Sequence, residues 1–215
     1  MTKPAFIFDL DGVIVDTAKY HYLAWKKLAH KLGFEFTEEQ NELFKGVSRK
    51  RCLEILLDIG DVEATQEQFD RWMVDKNEDY LSYIEEMDAS EILPDVYKVL
   101  NYLKRKNRPM ALGSASKNAK PILEKVKLLP YFEAIVDGTD VTKAKPDPEV
   151  FLIAAERMGA NPENCIVFED AVAGIQAANA AKMTSIGIGD KQNLSEADYV
   201  FKDFTEIGIE FLDTL

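Results

Sequence analysis

Ala5-Phe6-Ile7-Phe8-Asp9-Leu10-Asp11-Gly12 decides how this chain is read. Ala5 to Leu10 is a short apolar run that ends in acid and glycine, as a buried strand does when it passes into a turn. Beyond it the period changes. From Ala18 to Leu32, the residues Tyr22, Trp25, Leu28, Ala29 and Leu32 recur at helical spacing, and Gly33 is a stop. Thr37-Glu38-Glu39-Gln40 reads as a capping box opening a second helix. Ser48 caps a third that runs to about Leu57 and ends near Gly60. Thr65 caps a long fourth through Phe69, Trp72, Met73, Tyr80 and Ile84. Residues 17–88 are therefore expected to form an all-helical insertion.

After Ile92-Leu93-Pro94 strand and helix alternate. A helix from Val96 to Lys106 leads into the strand Met110-Ala111-Leu112-Gly113, and one from Asn118 to Val126 leads to Ala134-Ile135-Val136. A helix from Pro148 to Met158 leads to Cys165-Ile166-Val167-Phe168, and one from Ala171 to Ala181 to Thr184-Ser185-Ile186-Gly187-Ile188. Tyr199-Val200-Phe201 is expected as a last strand before a terminal helix. The strands are continuous apolar runs, as in parallel sheets covered on both faces. The fold class expected is α/β: a doubly wound, Rossmann-like parallel sheet (residues 1–16 and 89–215) with a helical cap domain (17–88). Ligands in such sheets sit beyond the carboxyl ends of the strands.

Those ends carry chemistry. Asp9 and Asp11 follow the first strand, Ser114-Ala115-Ser116 the second, Lys145-Pro146 lies in the loop after the third, and Glu169-Asp170 ends the fourth. Clustered carboxylates repel one another unless a cation intervenes. No His or Cys set accompanies them, so oxygen ligands point to Mg²⁺. Ser114 and the amides after it are expected at a helix start, where free N–H groups favour an anion. Lys145 adds a point charge. Together these suit a transferring phosphoryl group, with a carboxylate as nucleophile.

Composition narrows the rest. The 215 residues carry a formal charge of −12, from 26 basic and 38 acidic residues, so the basic face that nucleic acid requires is not expected. Two separated cysteines, Cys52 and Cys165, read as packed thiols of a reducing compartment. No stretch has the length of a membrane span or the form of a signal peptide. A cytoplasmic monomer is the expectation.

The four strand-end motifs, taken together, make the chain similar to the haloacid dehalogenase superfamily, whose Asp-x-Asp-Gly motif would be Asp9-Leu10-Asp11-Gly12. The resemblance implies that Asp9 is the nucleophile and Asp11 the general acid–base. It also implies that Asp9 and Asp170 bind Mg²⁺ by side chain, that Asp11 binds it by its backbone carbonyl, and that Glu169 supports the metal. Within the superfamily the chain most resembles the β-phosphoglucomutase family. Asp16-Thr17-Ala18, His21, Trp25, Lys45-Gly46-Val47-Ser48-Arg49, Lys76-Asn77 and Ser114-Ala115-Ser116-Lys117-Asn118 carry that likeness.

The substrates so implied are β-glucose 1-phosphate and β-glucose 1,6-bisphosphate. Arg49, with Lys117 and Asn118, would hold the second phosphate, for which a guanidinium fork is suited. Lys45, Gly46 and Val47 would contact the sugar, His21 and Lys76 would serve the hinge beside Thr17, and Ser114 and Lys145 would bind the transferring phosphate. By spacing alone Trp25 reads as packing, and Lys45 and Lys76 as residues of exposed type. Arg49 is followed by Lys50 and Arg51, two further cations near the second phosphate. A sugar-phosphate phosphatase of the same superfamily is the rival function.

Overall fold

The structure, a computed structural model, describes residues 3–44 and 47–215. Six strands form one sheet in the order β3-β2-β1-β4-β5-β6, every neighbouring pair parallel. They are β1 (Ala5–Phe8), β2 (Met110–Gly113), β3 (Ala134–Val136), β4 (Cys165–Glu169), β5 (Thr184–Ile188) and β6 (Tyr199–Phe201). The order reverses direction at β1, which places a ligand crevice beyond the carboxyl ends of β1 and its neighbour β4.

Because successive side chains of a strand point to opposite faces, the buried strands feed two cores. Phe6, Phe8, Leu112 and Phe168 belong to one, and Ile7, Ala111 and Val167 to the other. Phe8 stacks on Phe168 with ring centroids 4.8 Å apart, which packs β1 against β4 just below the crevice. The sheet is flanked by α5 (Val96–Arg105), α6 (Ala119–Lys125), α7 (Glu149–Arg157) and α8 (Val172–Ala180), with a short α9 (Ile209–Leu212) at the end.

Between β1 and α5 the described residues contain helices and no strand: α1 (Ala18–Leu32), α2 (Glu38–Asn41), α3 (Arg49–Gly60) and α4 (Gln66–Glu85). Their starts are set by side chains. Thr37 and Thr65 each close a capping box, with Gln40 and Gln68, and Ser48 accepts from Arg51 N. Gly33 ends α1 at φ 94°, a left-handed position suited to glycine. Trp25, Leu28, Phe36, Phe44, Leu53 and Leu56 make a third apolar cluster inside this helical segment. The inner ends of α1 and α4 nevertheless belong to the sheet's core through Ala24, Tyr80 and Ile84. The two chain crossings run side by side, tied by Asp16 N to Glu91 O at 2.9 Å and Leu93 N to Ile14 O at 3.1 Å.

Two expectations need correction. The first strand stops at Phe8 and not at Leu10, because Leu10 O accepts from Ile14 N and Val15 N in the turn that follows. Ser114 does not start a helix. Its Oγ accepts from Ser116 N, Ser116 Oγ accepts from Asn118 N, and α6 begins only at Ala119. Two consecutive serine turns satisfy amides that a helix start would have left open.

Candidate active site

Register alone brings Asp9 and Glu169 together. Phe8 pairs with Phe168 and Asp9 N donates to Phe168 O at 3.0 Å, so the next residue of each strand emerges at the same sheet edge. Both carboxylates are buried. Lys145, carried by the loop between β3 and α7, lies between them. Its Nζ donates to Asp9 Oδ1 at 2.6 Å and to Glu169 Oε1. Burial works against the ammonium, but the charges of Asp9 and Glu169 outweigh it and hold its pKa above the ordinary value. Burial pushes Glu169 upward, and Lys145 opposes that.

Asp11 is perturbed differently. Burial, then the charge of Asp9, raises its pKa to about 6, against a hydrogen bond from Thr17 Oγ1 and the charges of Lys76 and Lys145. A carboxyl near neutrality can take or give a proton, as an acid–base group must. Thr17 is itself fully buried where α1 begins. Lys76, which reads in sequence as an exposed type, is 1% exposed. Burial and then Arg49 lower its pKa to about 7. Burial and the Lys76 charge hold His21 well below its usual value. Its Nδ1 shares a hydrogen bond with Lys76 Nζ at 2.7 Å.

A cavity of about 380 Å³ joins these groups. Asp9, Asp11, Ser114, Ala115, Ser116, Lys117, Lys145 and Asp170 line it from the sheet side. His21, Trp25, Val47, Arg49 and Lys76 line it from the helical segment. Trp25 both packs in the helical cluster and lies under the Lys76 amine, 4.7 Å from its ring centroid. Of the two extra cations, Lys50 lines the cavity while Arg51 pairs with Glu54 at 3.0 Å.

Three expected residues are placed otherwise. Glu169 spends its oxygens on Lys145 and on Ala171 N, at 2.8 Å for the latter. Asn118 Nδ2 donates across to Asn77 Oδ1 at 3.1 Å, linking the sheet side to α4. Thr17 sits behind Asp11 as its hydrogen-bond donor. Lys45 and Gly46 lie outside the described residues. The cavity also takes in Asn41, Phe44, Cys52, Met73 and Lys143, which sequence reasoning passed over. Met73 shares a stripe of α4 with Lys76, Tyr80 and Ile84, a spacing that was open to reading. Cys52 gives no such signal. Its thiol lies 3.7 Å from Phe44 O and is pushed by burial up to about 12, so it is no nucleophile.

A model of haloacid dehalogenase-like hydrolases matches residues 3–182. The chain belongs to this family. It is 40% identical over 210 residues to a β-phosphoglucomutase of Bacillus subtilis, covering 97% of this chain and 93% of the relative. It is 34% identical to a fructose-1-phosphate phosphatase of Escherichia coli, covering 85% and 94%. The solved structure of a β-phosphoglucomutase from Clostridium difficile superposes with a TM-score of 0.94 at 41% identity, covering 99% of this chain and 96% of that one.

The donor chemistry at this haloacid dehalogenase-type edge fits a hard divalent ion. No three His, Cys, Asp or Glu side chains among the described residues form a ready ligand set. An ion here would therefore be held by few carboxylates and completed by backbone carbonyl, water and phosphate, as magnesium is. Gly12, at φ 82°, makes room for one of them. A Cβ there would lie 2.3 Å from Asp170 Oδ2.

Gly174 does the same for Glu169. A Cβ on α8 at this position would stand 1.9 Å from Glu169 Oε1. Because that carboxylate is held by Lys145 and Ala171, it has little freedom to yield. Gly174→Ala is expected to destabilise the fold by about 1–3 kcal/mol and to lower turnover by disturbing Lys145. Urea unfolding beside a rate measurement checks both effects.

Proposed function

We propose that this member of the family is a phosphomutase interconverting β-glucose 1-phosphate and glucose 6-phosphate, working as a cytoplasmic monomer. The observation that carries the proposal is that one cavity is lined by two groups of cations. Lys145, bonded to Asp9, is the first, and Arg49 and Lys50 on α3, with Lys117, are the second. A monophosphate needs only the first, whereas a sugar bisphosphate needs both. The identity to a mutase over nearly the whole chain supports the same reading.

In this reading residues 17–88 are the cap and residues 1–16 and 89–215 the core. Asp9 is the nucleophile and carries the phosphoryl group as an aspartyl-phosphate. Lys145 holds the charge of that group, and Ser114 orders the loop beside it. Asp11 takes the proton from the accepting sugar hydroxyl and returns it on the reverse step. The β-glucose 1,6-bisphosphate then turns so that its other phosphate faces Asp9, with Arg49 and Lys117 holding whichever phosphate is not reacting. Lys45, Gly46 and Val47 would contact the sugar, and Asn118 exchanges Asn77 for the second phosphate. Asp9, Asp170 and the Asp11 carbonyl, with Glu169 behind them, would hold Mg²⁺, which would neutralise the phosphoryl charge. Closure of the cap keeps water from the aspartyl-phosphate.

The test is β-glucose 1-phosphate with Mg²⁺, with and without the 1,6-bisphosphate, followed for glucose 6-phosphate and for free phosphate. Primer-dependent glucose 6-phosphate is expected, and free phosphate as the main product would reverse the assignment. The similarity to a fructose-1-phosphate phosphatase makes hydrolysis the second reading. Arg49→Ala sharpens the contrast. Losing a partly buried guanidinium from a phosphate costs roughly 100-fold in mutase turnover, whereas hydrolysis of a monophosphate at Asp9 would change little.

A further inference from the structure

Lys145 is carried by residues 137–148, which run from β3 to α7 outside helix and strand. Its amine nevertheless meets Asp9 Oδ1 at 2.6 Å. A functional group on a loop holds such a position only if the surrounding residues fix the backbone. Glu149, the first residue of α7, does this. Its carboxylate turns back out of the helix towards the loop. Oε2 accepts from Thr142 N at 2.8 Å and from Lys143 N at 2.6 Å, and Thr142 Oγ1 donates to Oε1 at 3.0 Å. Glu149 N donates to Asp147 Oδ1 at 3.1 Å, and Asp147 N donates to Ala144 O at 3.0 Å. One residue thus ties the chain on both sides of Lys145.

The anchor for these ties is firm. Val150 and Phe151, the next two residues of α7, are buried in the core that holds Ile7, Ala111 and Val167. The Lys145 amine lies 4.8 Å from the centroid of the Phe151 ring. The same helix end therefore supports the amine from below and holds its loop from the side. An acid in a first helical turn has a simpler use, which is to complement the helix dipole. That use does not require one carboxylate to accept from two consecutive amides of a loop outside the helix. The Lys143 amide also holds the Glu149 carboxyl below its ordinary range, so the acceptor is ionised at neutral pH.

We propose that Glu149 is a positioning residue: by accepting from Thr142 and Lys143 it fixes the backbone from which Lys145 reaches Asp9, and so sets the amine against the phosphoryl group transferred there. The proposal deepens the phosphoryl-transfer reading and rests on it. Glu149 itself touches neither Asp9 nor the substrate. Its effect on the reaction passes through Lys145 alone, and that makes it separable from a role in holding α7.

The experiment compares wild type, E149Q and E149A in the primed β-glucose 1-phosphate assay. Both variants lose the charge at the helix end, but glutamine keeps an oxygen for the two amides and an N–H for the Thr142 hydroxyl. E149A is expected to lower kcat about 10-fold through loss of orientation, with KM changed less than about 2-fold. E149Q should stay within about 3-fold of wild type, because the tie needs an acceptor more than a charge. A second measurement uses orthovanadate with Mg²⁺ as a five-coordinate mimic of the transferring group. E149A should bind it about 10-fold more weakly than wild type, and should lose nothing further when combined with Lys145→Ala, because both act through one amine. An E149A enzyme with wild-type kcat, an E149Q enzyme as slow as E149A, or orthovanadate losses that add would overturn the proposal. If Lys145→Ala does not fold, the two kcat comparisons decide. The wild-type control keeps the proposal separate from the mutase reading. If wild type forms free phosphate and no glucose 6-phosphate, that reading fails, and the same variants are compared on phosphate release, which needs Lys145 equally.

Discussion

Alanine in place of Lys145 is expected to remove turnover and to destabilise the fold by about 3–5 kcal/mol. The side chain is 1% exposed, and so is that of Glu169, while that of Asp9 is 9% exposed. Its amine bonds both, and among the described residues no other lysine or arginine pairs with either carboxylate. Truncation leaves two carboxylates side by side in a region of low dielectric, and that uncompensated charge is the source of the cost. The pH dependence gives the claim a sign. Without the lysine, burial and the charge of Asp9 push the folded-state pKa of Glu169 above that of the unfolded chain. A raised carboxylate stabilises the fold below its unfolded pKa and loses that contribution as pH rises through the folded one. The deficit of Lys145→Ala relative to wild type should therefore be large near neutrality and shrink on acidification. Urea titrations across pH, without divalent ion, measure it. A constant deficit would mean that the lysine contributes packing on Phe151, 4.8 Å from its amine, and little charge compensation.

The parts of this protein legible in its sequence are those set by local chemistry. Met110–Gly113, Ala134–Val136 and Thr184–Ile188 are strands where apolar runs place them, because strands buried on both faces need no alternation, and Tyr199–Phe201 is the partly exposed strand at the sheet edge. The helix starts at Thr37, Ser48 and Thr65 are equally local, each a side-chain oxygen on an amide three residues ahead. The box at Thr37 nevertheless opens only one turn of α-helix before the chain tightens at Glu42–Phe44 and buries Phe44. That is a tertiary demand which capping cannot foretell.

The site divides in the same way. That Asp9, Ser114, Lys145 and Asp170 gather at one edge follows from topology. What each carboxylate then does depends on partners far along the chain. Glu169 reads in sequence as a metal residue, but its oxygens go to Lys145 and Ala171, an arrangement that also needs the missing Cβ of Gly174. Lys76 was hidden by its type, since lysine is seldom buried, although its spacing from Tyr80 and Ile84 places all three on one inward face.

Asparagine in place of Asp9 is expected to abolish turnover while leaving the fold as stable as wild type or more so. The amide keeps the shape and one carbonyl oxygen for Lys145, but it has no carboxylate to attack phosphorus. If the reaction passes through an aspartyl-phosphate, the loss is that of a nucleophile and amounts to about four orders of magnitude or more. Stability moves the other way from Lys145→Ala because two buried carboxylates share one ammonium in the wild type, and the substitution removes one of them. The Asp9 charge also raises Asp11, so its removal relieves that group and lets its pKa fall. Intact-mass measurement after incubation with β-glucose 1,6-bisphosphate should show a phosphoryl adduct on wild type and none on Asp9→Asn. An adduct on the variant would place the nucleophile elsewhere. Two inactive proteins with opposite shifts in unfolding free energy then separate the two duties at this sheet edge, attack on phosphorus by Asp9 and compensation of buried charge by Lys145.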